Sequence, residues 1–155
     1  MTSEFVHLHN HSDYSLLDGA QRIDQLINTI GDLNMDSVAL TEHGNMFSVL
    51  PYYNEAKKAG IKPIIGCEIY VAVGSRFEKK VRPGGGWGNN HLILLAQNYK
   101  GYKNLMKLVT AGYLEGFYYR PRVDIDLIRN HSEGLICMSG CLKGEIPEKM
   151  LKGDY

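Results

Sequence analysis

Cysteine is scarce and net charge is absent. Cys67, Cys137 and Cys141 are an odd number and too few for a disulfide scaffold in 155 residues, which fits a reducing, cytoplasmic setting. No run approaches the roughly 20 apolar residues of a membrane helix, so neither a span nor a membrane partner is expected. The opening MTSEFVHLHN lacks a basic stretch followed by an apolar one, so no signal peptide is read. Lys plus Arg and Asp plus Glu both number 17, which excludes a strongly basic, DNA-coating protein as the default. Internal repeats and low-complexity tracts are also missing.

The charge that is there is uneven. Residues 1–75 carry 4 basic and 9 acidic side chains, and residues 76–155 carry 13 and 8. An acidic half able to hold cations precedes a basic half able to meet an anion. At 44% hydrophobic and 22% charged, the composition is that of one globular domain, or part of one.

Apolar patterning alternates strands with helices. Phe5–His9 reads as a strand. Ile23, Leu26, Ile27, Ile30 and Leu33 form one stripe of an amphipathic helix. Ser37–Thr41 is a short buried strand, followed by a helix to about Ala59 with Gly60 as its stop. Lys62–Val73 and His91–Ala96 are strands on either side of the loop 74–90, whose three consecutive glycines and basic residues predict mobility unless nucleic acid or a neighbouring domain holds it. A helix over Tyr102–Leu114, a short one near Asp126–Asn130, a strand over Gly134–Ser139 and a closing short helix complete the chain. Repeated strand-then-helix units imply a mainly parallel sheet covered on both faces, with its chemistry at the carboxyl ends of the strands.

Those ends are rich in metal-binding side chains. His7, His9 and His11 alternate, and alternate strand residues share a face; His-x-His thus delivers two imidazoles to one point. Asp18 follows the first strand, Glu42-His43 ends the second, Glu68 lies in the third and Cys141 follows the fifth. Each has a mundane reading, as a turn residue, a solvated carboxylate or a small buried thiol, but their coincidence at one sheet end favours a metal cluster. Imidazole, carboxylate and thiolate suit Zn²⁺, Mn²⁺ or Fe²⁺ better than Mg²⁺ or Ca²⁺. Adjacent Cys67 and Glu68 point to opposite faces, so only Glu68 can reach the site. His91 opens its strand, which a parallel sheet would put at the wrong edge; either that strand runs against its neighbour or the 74–90 loop shifts its register. Cys137 reads as core.

His9-Asn10-His11-Ser12-Asp13-Tyr14-Ser15 with Asp18-Gly19, Thr41-Glu42-His43-Gly44 and Gly66-Cys67-Glu68 resemble the first three motifs of the PHP (polymerase and histidinol phosphatase) superfamily. HLHNHSDYSLLDG, GIKPIIGCEIYVA, HLILLAQNYKGYKNL, LEGFYYRPRVD and GLICMSGCLKGEIP look like the branch of it that opens bacterial replicative polymerase alpha subunits.

The resemblance implies an α/β fold, a distorted (β/α)₇ barrel of which these residues are an N-terminal portion, with a centre of two or three divalent metals (Zn, Mn or Fe). Its ligand positions fall on His9, His11, Asp18, His43, Glu68, His91 and Cys141, with His9, His11 and His43 acting through the bound metal. His7 and Glu42 stand where relatives have Asp and are expected around the ligands rather than among them. The family's last motif, Asp-x-His, has no match here, nor do the polymerase's catalytic aspartates, so this chain alone is expected to be inactive. The implied activity is phosphoester hydrolysis by in-line attack, as a 3′–5′ exonuclease on DNA. Arg76, Lys79, Lys80, Arg82, Arg120 and Arg122 are candidate phosphate contacts in the basic, aromatic half. Implied partners are DNA, the rest of the alpha subunit and a separate proofreading subunit. Two other readings stay open: a metal-stabilised scaffold without catalysis, and a histidinol-phosphate-type phosphatase.

Overall fold

The computed structural model describes residues 4–80 and 89–154. Helix α1 (Ile23–Asp32) buries Ile23, Leu26, Ile27 and Ile30. Leu33 falls just past the helix and is half exposed. Strand β1 (Ser37–Leu40) is buried throughout. Helix α2 (Val49–Lys58) takes Pro51 in its first turn and stops at Gly60, whose φ of 73° is left-handed. Then come β2 (Lys62–Ala72), β3 (Asn89–Ala96) and α3 (Tyr99–Leu114). The Asn98 side chain caps α3 by accepting from Gly101 N–H at 3.0 Å, which starts it three residues before the expected Tyr102. Strand β4 (Arg122–Val123), α4 (Ile125–Asn130), β5 (Leu135–Met138) and α5 (Glu145–Lys152) follow. Among the described residues no helix is long and apolar enough to cross a membrane.

The segment expected as a first strand, Phe5–His9, is extended beside β1 but makes no regular ladder. Ala39 N–H donates to the His7 carbonyl at 2.8 Å and Thr41 N–H to that of Asn10 at 2.9 Å. Side chains interrupt the rest. The Asn10 amide donates to the Ala39 carbonyl at 3.1 Å, and Asn10 N–H donates to Thr41 Oγ1 at 3.1 Å.

The expected parallel sheet is only partly so. The order is β1-β2-β3-β5, with β4 on β2. The β1–β2 and β2–β4 pairs are parallel, while β2–β3 and β3–β5 are antiparallel. A parallel neighbour needs a crossover, usually a helix. No helix lies in 73–80, and β3 pairs with β2 antiparallel. Residues 81–88, on which part of the expected mobile loop falls, lie outside the described residues.

Helices cover one face of the sheet. Ile23, Leu26, Ile27, Ile30, Val38, Leu40, Tyr52 and Ala56 pack α1 and α2 against β1. Cys67, Ile69, Val71, Leu94, Leu105, Leu108 and Val123 pack α3 against β2 and β3. The other face is thin: Ala39, Ile93 and Leu95 form its small buried apolar cluster, with buried Glu68 and Tyr70 beside it. Cover of both faces fails at β5, where Ile136 is 46% exposed. Cys137, expected in the core, is exposed there too, because no described helix packs over that part of the strand.

Candidate metal centre

Glu68 sits at the middle of the thin face, 1% exposed. It shares that face with Tyr70, because alternate strand residues point the same way. Cys67 points to the helices and donates to the Glu42 carbonyl at 3.4 Å. The register Leu40↔Ile65 runs on beyond β1 to pair His43 with Glu68. Glu68 N–H donates to the Glu42 carbonyl at 3.0 Å, and Gly44 N–H to the Glu68 carbonyl at 2.8 Å. Gly44 has a φ of 66°, and a Cβ there would lie 2.7 Å from the Tyr70 ring. The sharp exit from β1 therefore requires glycine, and it swings His43 over Glu68.

Four imidazoles surround this carboxylate. Oε2 lies 2.8 Å from His9 Nε2 and 3.7 Å from His11 Nε2. Oε1 lies 2.8 Å from His43 Nδ1 and 2.7 Å from His91 Nδ1. Cys141 Sγ is 3.5 Å from His91 Nδ1. Exposed Asp18 brings Oδ2 within 3.3 Å of His43 Nε2. The rings of His11 and His43 stack at 3.7 Å and 15°. All seven residues expected as ligands thus gather around one carboxylate. His9, His11 and Glu68 form one group of candidate ligand atoms within 4.8 Å of one another, and Glu68, His91 and Cys141 form a second.

His91 arrives by the route that the parallel expectation lacked. It pairs with Tyr70 at the start of antiparallel β3, two residues before Ile93, which pairs with Glu68. That places His91 on the face of Glu68 and at the carboxyl end of β2.

The electrostatics suit a cation. Burial alone would raise the Glu68 carboxyl, but hydrogen bonds from His43, His9 and His91 outweigh it and hold it well below the ordinary carboxylate range. Burial, and then the neighbouring His43, lower the pKa of His11, which favours the neutral imidazole that a metal needs. His11 Nδ1 is buried without a hydrogen-bond partner, a polar atom of the kind that an ion or a water satisfies. Mixed nitrogen, oxygen and sulfur donors around a shared carboxylate fit divalent transition metals.

The residues expected around the ligands differ from each other. Glu42, 1% exposed, accepts hydrogen bonds from Ser12 N–H and from the Ser12 and Ser15 hydroxyls. Ser15 Oγ in turn accepts from His43 N–H at 3.0 Å. Glu42 therefore ties the turn that carries Asp18 to the strand end that carries His43. The His7 ring is exposed and meets Phe5 edge-on at 4.8 Å; no hydrogen bond from it to the ligand group is found among the described residues.

The basic candidates also divide. Arg76, expected at phosphate, pairs with Asp124 at 3.0 Å and Glu115 at 2.6 Å. Arg122, also expected there, is 2% exposed and donates to the carbonyls of Gly116, Arg76 and Glu78. Both guanidinium groups hold the chain to itself, because acceptors fold around them. Lys79, Lys80 and Arg120 are exposed, and Arg82 lies outside the described residues. Tyr70 was not expected at the site. Its ring meets His91 edge-on at 5.0 Å, and burial pushes its hydroxyl up to about 12. Its position two residues after Glu68 on a strand was the available signal.

Known proteins resemble this chain along nearly its whole length. The PHP domain family model matches residues 7–155. The chain is 57% identical over 153 residues to the DNA polymerase III subunit alpha of Borreliella burgdorferi, covering 99% of this chain and 13% of that protein. The subunits of Treponema pallidum and Thermus aquaticus are 51% and 45% identical over 96% of this chain, and the chain spans 13% and 12% of their lengths. A solved amidohydrolase from Chromobacterium violaceum is a looser likeness, with 22% identity and a TM-score of 0.48 over 68% of this chain and 32% of its own. The chain belongs to the PHP domain family, in the branch of that domain found in DNA polymerase III alpha subunits.

Proposed function

We propose that these residues hold two or three divalent transition metals, Zn, Mn or Fe, and form a phosphoesterase centre that removes nucleotides from DNA 3′ ends. The observation that carries the reading is the Glu68 carboxylate, with two imidazoles at each oxygen. His9 and His11 with Glu68, and His91 and Cys141 with Glu68, are the two ligand groups, and His43 with Asp18 completes the set. Bound ions of this kind supply an activated water near neutral pH and neutralise a phosphate. The protein's own part is to orient. The antiparallel β3 delivers His91, Glu42 fixes the Asp18 turn to the His43 strand end, and burial keeps His11 a neutral donor.

The chain spans about an eighth of the length of its relatives. DNA, the remainder of an alpha subunit and a proofreading subunit are accordingly proposed partners, in a bacterial cytoplasm, with polymerisation assigned to residues outside this chain. Full cleavage is proposed to need the Asp-x-His motif that this sequence does not contain. The test is elemental analysis of the chain with and without a C-terminal extension bearing that motif, followed by digestion of 5′-labelled single-stranded DNA. Metal in the extended protein with stepwise 3′ shortening supports the proposal. Metal without shortening favours the scaffold that docks a separate proofreading subunit. Absence of metal after Zn²⁺ or Mn²⁺ addition defeats both.

A further inference from the structure

Four of the five arginines among the described residues have their guanidinium groups engaged. Arg22 pairs with Asp24 at 3.2 Å and Arg129 with Asp126 at 3.4 Å. Arg76 bridges Glu115 and Asp124, and Arg122 is buried on three carbonyls. Arg120 is exposed, and no acceptor for its guanidinium is found among the described residues. Its Cζ lies 5.5 Å from the centroid of the Tyr70 ring. Tyr70 is 3% exposed and its ring edge meets His91. The free guanidinium therefore stands one aromatic ring outside the candidate ligands.

The turn that carries it is built rather than loose. Tyr119 has a φ of 58°, a left-handed conformation costly for a bulky residue. Tyr118 N–H donates to the Arg120 carbonyl at 3.0 Å. Arg122, two residues on, anchors the far side of the turn to the carbonyls of Arg76 and Glu78. A guanidinium stacked on an aromatic face keeps its N–H edge free for the two-pronged geometry that phosphate accepts.

We propose that Arg120 binds the phosphate adjoining the one that is hydrolysed, so that the centre takes the end of a phosphodiester chain in preference to a single phosphate ester. This rests on the phosphoesterase reading above and names the substrate feature which that site recognises. Arg120 meets the Tyr70 ring and not the ligand group itself, while Tyr70 in turn meets His91, which suits a phosphate next to the one held at the ligands. A strand with its terminal linkage at the metals lays its next phosphate outward, toward the Tyr70 rim.

The test uses the full chain loaded with Mn²⁺, as parent, Arg120→Ala and Arg120→Lys. Binding of a 5′-labelled single-stranded oligonucleotide, with a phosphorothioate at its last linkage, is followed by fluorescence anisotropy over a salt series. Arg120→Ala is expected to weaken binding about tenfold at low salt and to flatten the slope of log K against log salt by about 0.7. Arg120→Lys is expected to keep the slope and recover part of the affinity, since it restores the charge but not the fork. Metal content, and any hydrolysis of bis(p-nitrophenyl) phosphate, which has no adjoining phosphate, are expected to match the parent. An unchanged slope and affinity in Arg120→Ala overturns the proposal, as does a parent that does not bind the oligonucleotide. Lost metal, or an equal loss on the small diester, also overturns it by placing Arg120 on the ligands or on the reacting phosphate. The binding arm needs no turnover. Arg120 is therefore decided whether or not this chain cleaves, and the nuclease reading is decided separately by the extended protein that carries the Asp-x-His motif.

Discussion

His91 Nδ1 stands 2.7 Å from Glu68 Oε1 although the two residues lie on strands that run in opposite directions. In a parallel pair the first residue of one strand lies far from the carboxyl end of its neighbour. Here the reversal brings the beginning of β3 to the end of β2. That contact joins the first-motif histidines to Cys141, because Glu68 belongs to both candidate ligand groups.

Glu68→Gln is expected to lower bound metal more than any single histidine substitution, since both ligand groups include this carboxylate. Elemental analysis after equilibration with Zn²⁺ or Mn²⁺ measures it, with circular dichroism checking the fold. Metal content equal to the parent would show that the carboxylate is no ligand.

Glu42→Ala is expected to destabilise the fold by about 3 kcal/mol, because buried Ser12 N–H and two hydroxyls lose their shared acceptor. Metal affinity should fall roughly 10–100-fold, as is usual when a support behind the ligands is removed. Urea denaturation and competition with a chelator give the two numbers. A stability loss with unchanged affinity would confine Glu42 to the fold.

Gly44→Ala is expected to cost about 2–4 kcal/mol. The left-handed backbone disfavours a Cβ, and that atom would lie 2.7 Å from Tyr70 and 2.9 Å from Pro121. Thermal unfolding of the metal-free chain measures it, and a neutral result would mean that the loop can relax.

Asp124 links stability to pH. Burial alone would raise its carboxyl, but the N–H groups of Arg76 and Leu127 and the Arg76 guanidinium outweigh that and hold it below its ordinary 3.8. A group whose folded value is depressed contributes stability that is present above the unfolded value and lost as pH falls toward the folded one. Asp124→Asn should therefore cost about 2 kcal/mol at neutral pH, and the difference from the parent should shrink as the pH falls below the ordinary 3.8 toward the depressed folded value. Urea midpoints over a pH series would show a constant difference if the carboxylate charge played no part.

Local physics made much of this chain legible in the sequence. The stripe from Ile23 to Ile30, the stop at Gly60 and the opposite faces of Cys67 and Glu68 follow from periods of 3.6 and 2 and from left-handed glycine. The candidate ligands were readable too, because imidazole, carboxylate and thiol side chains recur at strand ends. Tertiary structure decided the rest. The direction of β3 depends on how the chain returns after β2, which no local pattern encodes. Arg76 and Arg122 look like free cations in the sequence, yet Asp124, Glu115 and three carbonyls close around them. Arg120, of the same chemistry and two residues from Arg122, is left open over Tyr70. Whether a charge is a brace or a binding group depends on which acceptors the rest of the fold brings to it, and those acceptors are distant in sequence.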